Sequence, residues 1–126
     1  MSERFSAHGA SAKPQGPAAA LNVVLRIEVT SMPLAPSQEV RVITGELKPG
    51  EATPRHSHRF PVIVYVMEGV FALELADGRA LSARAGEAIV EPAHVAMVGR
   101  NTTETTTRLV MTYVSEPGVP FADLAD

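Results

Sequence analysis

Residues 49–69 read PGEATPRHSHRFPVIVYVMEG, and residues 86–101 read GEAIVEPAHVAMVGRN. In both stretches, short runs of β-branched residues are interrupted by turn formers: Pro49-Gly50, Gly69, Gly86 and Pro92. Glycine and proline at such points mark turns, and the β-branched runs between them read as strands. The texture is the same on either side. Val23–Thr30, Glu39–Leu47, Val62–Met67, Val70–Leu75, Arg79–Ala83, Glu87–Glu91, Val95–Arg100 and Thr107–Val114 are each expected to be strands. Asp77-Gly78 is a hairpin signal between two of them. In Phe71-Ala72-Leu73-Glu74-Leu75 the large apolar residues fall on odd positions, so one face of that strand points to a core. No stretch keeps a helical period, and nothing repeats every 20 to 50 residues. The expected class is all-β, a sandwich or barrel.

The chain has 126 residues, enough for one domain with one sizeable core. Eleven basic residues stand against fourteen acidic ones, a net charge of −3, and no basic cluster occurs. A grip on nucleic acid needs clustered Lys and Arg, so no nucleic-acid partner is expected. There is no cysteine, which excludes disulfides, thiolate metal sites and a cysteine nucleophile. No apolar run approaches the roughly 18 residues of a membrane span, so no membrane partner is expected. The N-terminal stretch lacks the pattern of a secretory signal, and the default is a cytoplasmic protein, with the mature form of an exported precursor as the alternative. Residues 1–20, with Pro14, Gly16 and Pro17, read as a flexible N-terminal arm. Residues 21–116 read as the β-barrel domain. Residues 117–126 read as a C-terminal tail, one helical turn or extended.

His56 and His58 are the candidate chemical residues. Side chains at i and i+2 of a strand share a face, so the two imidazoles can meet one target. Position 62 keeps that parity, and position 97 is expected on another strand across the barrel. By the same parity Phe60, Val62, Val64, Val66, Val95 and Met97 face inward. With the histidines they describe an apolar pocket with one polar corner, suited to a small, partly apolar ligand. Arg41, Arg59 and Arg100 are candidates for catching an acid group at the rim. Glu68 is expected in solvent, and Asn101 is expected to organise its loop through side-chain to backbone bonds.

The two quoted stretches resemble the two conserved motifs of the cupin superfamily. The first motif is Gly, five residues, His-x-His, three residues, Glu, six residues, Gly; Gly50, His56, His58 and Gly69 fall on it. The second is Gly, five residues, Pro-x-Gly, two residues, His, three residues, Asn; Gly86, Pro92 and Asn101 fall on it. The resemblance covers roughly residues 38–115 and implies a double-stranded β-helix, that is, a jelly-roll barrel of six to eight strands, in a small single-domain bacterial member. It also implies a metal centre with four ligands, and here the pattern breaks. Val62 stands where the family has Glu, Met97 where it has the second-motif His, and His94 where it has Gly.

Two imidazoles alone hold a divalent ion weakly, since stable sites supply three or more protein ligands. Met97 could add a thioether, which suits Cu(I). His94 could swing inward, or a substrate carboxylate could complete the shell. The expected cofactor is therefore one divalent or soft transition-metal ion (iron, manganese, nickel, zinc or copper), or none. Three functions follow: a small-molecule-binding cupin with an incomplete metal site; a metal-dependent oxidoreductase, dioxygenase-like, or isomerase with a substituted third ligand; or a partner-binding domain. A homodimer is expected by the resemblance, with the arm and Val23–Thr30 as swapped or edge-covering elements.

Overall fold

The computed structural model describes residues 19–126. The expected arm lies outside these, save for Ala19 and Ala20. Among the described residues there is no helix, hence none long and apolar enough to cross a membrane. The strands are β1 (Glu39–Leu47), β2 (His56–Ser57), β3 (Val62–Glu68), β4 (Val70–Leu75), β5 (Ala80–Arg84), β6 (Ala88–Glu91), β7 (Met97–Arg100), β8 (Thr107–Ser115) and β9 (Asp123–Leu124). They form two antiparallel sheets, ordered β1-β8-β3-β6 and β5-β4-β7-β2-β9. This is the double-stranded β-helix that the family resemblance implied.

One expected strand is missing. Val23–Thr30 pairs with no strand among the described residues and is almost wholly exposed. Strand propensity describes a fit to a pleated surface beside a neighbour, and none of the described strands lies beside it in a ladder. Ile27, Val29 and Met32 instead lie near Ile63, Val90 and Val114, on the outer surface of the four-stranded sheet. The tail is extended rather than helical, and it adds β9 to the edge of the five-stranded sheet.

Alternation places one face of each sheet inside. Val62, Val64, Val66, Leu109 and Tyr113 of the first sheet meet Phe71, Leu73, Leu75, Ala83 and Met97 of the second, all buried. Removing one such Val or Leu from water stabilises the fold by about 1.5–3 kcal/mol. Asn101 ties the barrel end as expected. Its Nδ2 donates to the carbonyls of Leu47 (3.0 Å) and Thr105 (2.7 Å), and its Oδ1 accepts from the Thr103 amide (2.9 Å). Glu68 sits at the surface beside Arg108 (3.4 Å).

Two turn glycines separate backbone strain from crowding. Gly69 (φ +80°) and Gly78 (φ +96°) are both left-handed. A Cβ on Gly69 would lie 2.7 Å from the Thr106 carbonyl oxygen, whereas one on Gly78 would meet open space. Gly78→Ala should therefore destabilise the fold by about 1–2 kcal/mol from backbone strain alone. Gly69→Ala should cost a further ~1–3 kcal/mol, because the Thr106 backbone must move. Urea denaturation of the two variants checks this, and equal losses would refute the crowding argument.

Candidate metal centre

The chain enters β2 through Thr53-Pro54, and the Pro54 carbonyl accepts a hydrogen bond from His56 Nδ1 at 2.7 Å. A carbonyl only accepts, so Nδ1 carries the hydrogen and Nε2 of a neutral ring keeps a free lone pair. His58 is held the same way: its Nδ1 donates to the Phe121 carbonyl at 2.7 Å. Its Nε2 then faces Glu91 Oε1 at 2.9 Å. The two rings stand edge to face, 4.8 Å between centroids. The candidate donor atoms of His56, His58 and Glu91 lie within 4.8 Å of one another, on residues that are all buried or nearly so.

This arrangement asks for a proton or a metal ion between the two groups. With Nδ1 committed to a carbonyl, a neutral His58 would aim a lone pair at a carboxylate oxygen, acceptor against acceptor. A proton on the ring nitrogen or on the carboxyl, or a metal ion, resolves that conflict. Fixing imidazoles through Nδ1 with backbone carbonyls, so that Nε2 faces a common point, is how proteins orient histidine ligands for metals. Two nitrogens and one carboxylate are a donor set that suits divalent iron, manganese, nickel or zinc. The residues present therefore fit an ion.

Glu91 is the residue that sequence reasoning missed. It lies on β6 and is the register partner of Val62 on β3. Paired residues on adjacent strands point to the same face, so Glu91 reaches the interior beside the position where the motif's glutamate is replaced. The available signal was a carboxylate at an inward parity position of a short strand, immediately before Pro92. Met97 is fully buried and is the register partner of His56 in the same sheet, not a residue from across the barrel as expected. The reason is that β7 pairs directly with β2, while the bend at Arg59-Phe60 carries the chain to the opposite sheet before Val62. His94 is exposed at a turn with φ +65°, which accounts for glycine there in the motif. Its amide donates to the His58 carbonyl at 2.7 Å, so its backbone, not its ring, serves the site.

A cavity of ≈170 Å³ adjoins the donors, lined among others by Thr53, His56, Phe71, Glu91, Met111 and Phe121. None of the six residues expected to form a pocket lines it. Val62, Val64, Val66 and Met97 are wholly buried in the core, and Phe60 and Val95 pack against its edge. Parity tells inside from outside, but the centre of a small barrel is filled by side chains. The space opens instead near Gly45, an inward position of β1 with no side chain. The expected rim arginines are engaged within the chain. Arg41 bonds Ser115 Oγ and the Val119 carbonyl, Arg59 forks onto Asp123, and Arg100 pairs with Glu74.

The tail belongs to this site. β9 pairs with β2, placing Leu124 opposite His56, and the Ala125 amide donates to the Arg55 carbonyl at 2.9 Å. The Phe121 ring packs against that of His58, 4.8 Å between centroids and tilted by 57°, while the Phe121 carbonyl fixes the imidazole's tautomer. Arg59 closes the strap by two hydrogen bonds to Asp123, 3.0 and 3.1 Å. Those bonds, helped by the guanidinium charge and opposed by partial desolvation, hold the Asp123 carboxyl below its ordinary value.

Comparison with known proteins bears on the same region. The sequence profile of the family described as "Cupin domain" matches residues 43–113. No curated protein matches the chain. Among solved structures, a protein from Neisseria meningitidis is 26% identical, with 58% of this chain and 71% of that one covered and a TM-score of 0.51. An RmlC-like cupin from Methanocaldococcus jannaschii with a double-stranded β-helix fold is 22% identical over 62% and 72% of the two chains, at a TM-score of 0.57. The polyketide cyclase RemF from Streptomyces resistomycificus is 29% identical over 69% and 63%, at a TM-score of 0.55.

The strap gives a testable consequence. Asp123→Asn should lower the exchange protection of the Ala125 amide by roughly tenfold while core amides such as Val64 keep theirs. In the unaltered chain the same loss should appear only in acid. A carboxyl with a depressed folded pKa contributes above its unfolded value and ceases to contribute as pH falls through the lowered one. Equal Ala125 protection in the two proteins at neutral pH would show that the ion pair does not hold the strap.

Proposed function

The chain belongs to the cupin-domain family, and from that premise we propose that it is a metal-dependent small-molecule protein whose ion is held by His56, His58 and Glu91. The observation that carries this reading is the carboxylate of Glu91, set beside Val62 and 2.9 Å from His58. It supplies a third donor and a negative charge. Without that charge a divalent ion in an apolar barrel would be poorly compensated. Two neutral imidazoles and one carboxylate leave a divalent site with net positive charge and open positions, which suits a ligand that brings an anionic oxygen. When bound, such an ion supplies Lewis-acid polarisation of a ligand oxygen.

The chain's own residues do the rest. Phe71, Met111 and Phe121 shed water from the bound molecule and favour a compact, mostly apolar skeleton. The cavity is of the order of the roughly 150 Å³ space that admits a benzene ring in a dry protein interior. Thr53, whose Oγ1 accepts from the Gly99 amide at 2.9 Å, lines its wall together with His56, Glu46 and Glu91. The likeness to RemF supports an oxygenated carbon skeleton as ligand. Catalysis on that skeleton, as an isomerase or cyclase would perform it, is the form of the proposal that this likeness favours over binding alone.

Protein prepared without a nickel column and titrated calorimetrically with manganese, iron(II), nickel and zinc should take up one ion per chain from at least one of them. Glu91→Gln should weaken that uptake by at least roughly tenfold. Val62→Glu, placed in the Glu91→Gln background, should restore part of it, because the two positions face the same point from paired strands. Failure of every ion to bind, or unchanged affinity in Glu91→Gln, would overturn the assignment.

A further inference from the structure

Among the described residues two glycines sit inside strands, Gly45 of β1 and Gly99 of β7. Neither has a left-handed backbone, so neither is required by its φ. Glycine weakens a strand interior, and in such a place it marks a spot where another group comes close. At Gly99 that group is the Phe71 ring, which a Cβ would approach to 2.6 Å. At Gly45 the neighbour is only the Met111 methyl, 3.1 Å from where a Cβ would stand. The end of a methionine is flexible and adapts to its surroundings. Backbone and packing therefore both tolerate a side chain at position 45, and what glycine supplies there is space.

That space is part of the ≈170 Å³ cavity beside the donors. Gly45 is the register partner of Leu109, and Met111 lies two residues further along β8, so all three face the interior. Met111 is only partly buried, although Leu109 and Tyr113 on the same face are buried. What it borders is the cavity. Phe71, Phe121, His56 and Glu91 supply further walls. Glu46 borders the cavity too, but it belongs to the outward parity of β1 and its carboxylate pairs with Arg108 at 3.2 Å. A Cβ at position 45 would occupy volume itself. It would also drive the Met111 methyl into the remainder, because a close-packed core leaves it nowhere else to go.

We infer that Gly45 and Met111 set the size limit of the bound molecule, and that this molecule is a carboxylate carried on a single ring or on a skeleton as compact. The size limit follows from the cavity alone. A dry space of roughly 150 Å³ takes one benzene ring, and a second fused ring needs more room than these walls leave. The carboxylate rests on the ion proposed above for His56, His58 and Glu91, whose net positive charge calls for an anionic oxygen. Neither Gly45 nor Met111 carries a charge or a strong hydrogen-bonding group, so both act through shape. Changing either should therefore alter which size of ligand binds more than it alters binding of the acid group itself.

The probes are acetate, benzoate and 1-naphthoate, titrated calorimetrically into the full chain loaded with manganese, nickel or zinc. Benzoate should bind the unaltered chain and 1-naphthoate should not. Gly45→Val should weaken benzoate at least roughly tenfold more than it weakens acetate, the scale of a methyl-sized change in an apolar pocket. Met111→Ala should act in the opposite sense, raising 1-naphthoate affinity at least roughly tenfold. Met111→Phe fills the same space from β8 and replaces Gly45→Val if circular dichroism shows that variant unfolded. Benzene, which needs no ion, separates this inference from the metal assignment. In the metal-free chain it should shift the Met111 methyl resonance, and Gly45→Val should abolish the shift. A benzene response without benzoate binding would refute the ion and uphold the size limit. The inference is overturned if neither probe binds, if the unaltered chain takes benzoate and 1-naphthoate equally, or if a folded filling variant keeps its full benzoate affinity.

Discussion

His58 is gripped from both sides, and most of the site's logic follows from that. Its Nδ1 is spent on the Phe121 carbonyl and its Nε2 meets Glu91, with only 1% of the residue exposed to solvent. A half-satisfied polar group in a low-dielectric interior is costly, whereas a completed network is rigid. A proton between the ring and the carboxyl, or a metal ion, completes this one. The tail that supplies the Phe121 carbonyl is therefore part of the site's scaffold, not an appendage. β9, the Arg59–Asp123 fork and the Ala125–Arg55 bond all act on the short strand that carries His56.

Much of this was legible in the residues. Turn formers at Gly50, Gly69, Gly86 and Pro92 set the strand lengths, and the His-x-His spacing put both imidazoles on one face, because those features act over two to seven residues. What was hidden depends on register between distant strands. Glu91 matters because β6 lies beside β3 with Val62 opposite it, and no local signal states which residue of one strand faces which of another. The same limit misplaced position 97. β7 adjoins β2, so Met97 is a neighbour of His56 in one sheet. The cavity was misread for a different reason: inward parity gives direction, not free volume, and the inward valines of β3 fill the barrel.

Val23–Thr30 shows where local propensity and tertiary context part. Its alternation is that of a strand, yet strand structure needs a partner for its backbone groups, and the described residues offer none. Ile27, Val29 and Met32 rest instead near Ile63, Val90 and Val114 of the sheet's outer face, a contact made by side chains and not by a backbone ladder.

Positions 62 and 91 are paired across β3 and β6, so a glutamate at either faces the same interior point. Here position 62 carries a valine that packs at 0% exposure in the centre of the core. A carboxylate on the central strand would have displaced apolar contacts there, whereas β6 is an edge strand and Glu91 sits at its end, beside the cavity. A buried acid facing a histidine would otherwise be a poor way to stabilise a barrel, since desolvating such a pair costs more than its attraction returns unless its geometry and remaining hydrogen bonds are complete. Here His58 is held at both nitrogens, with Glu91 aimed at it, which is the completed geometry that such a pair needs.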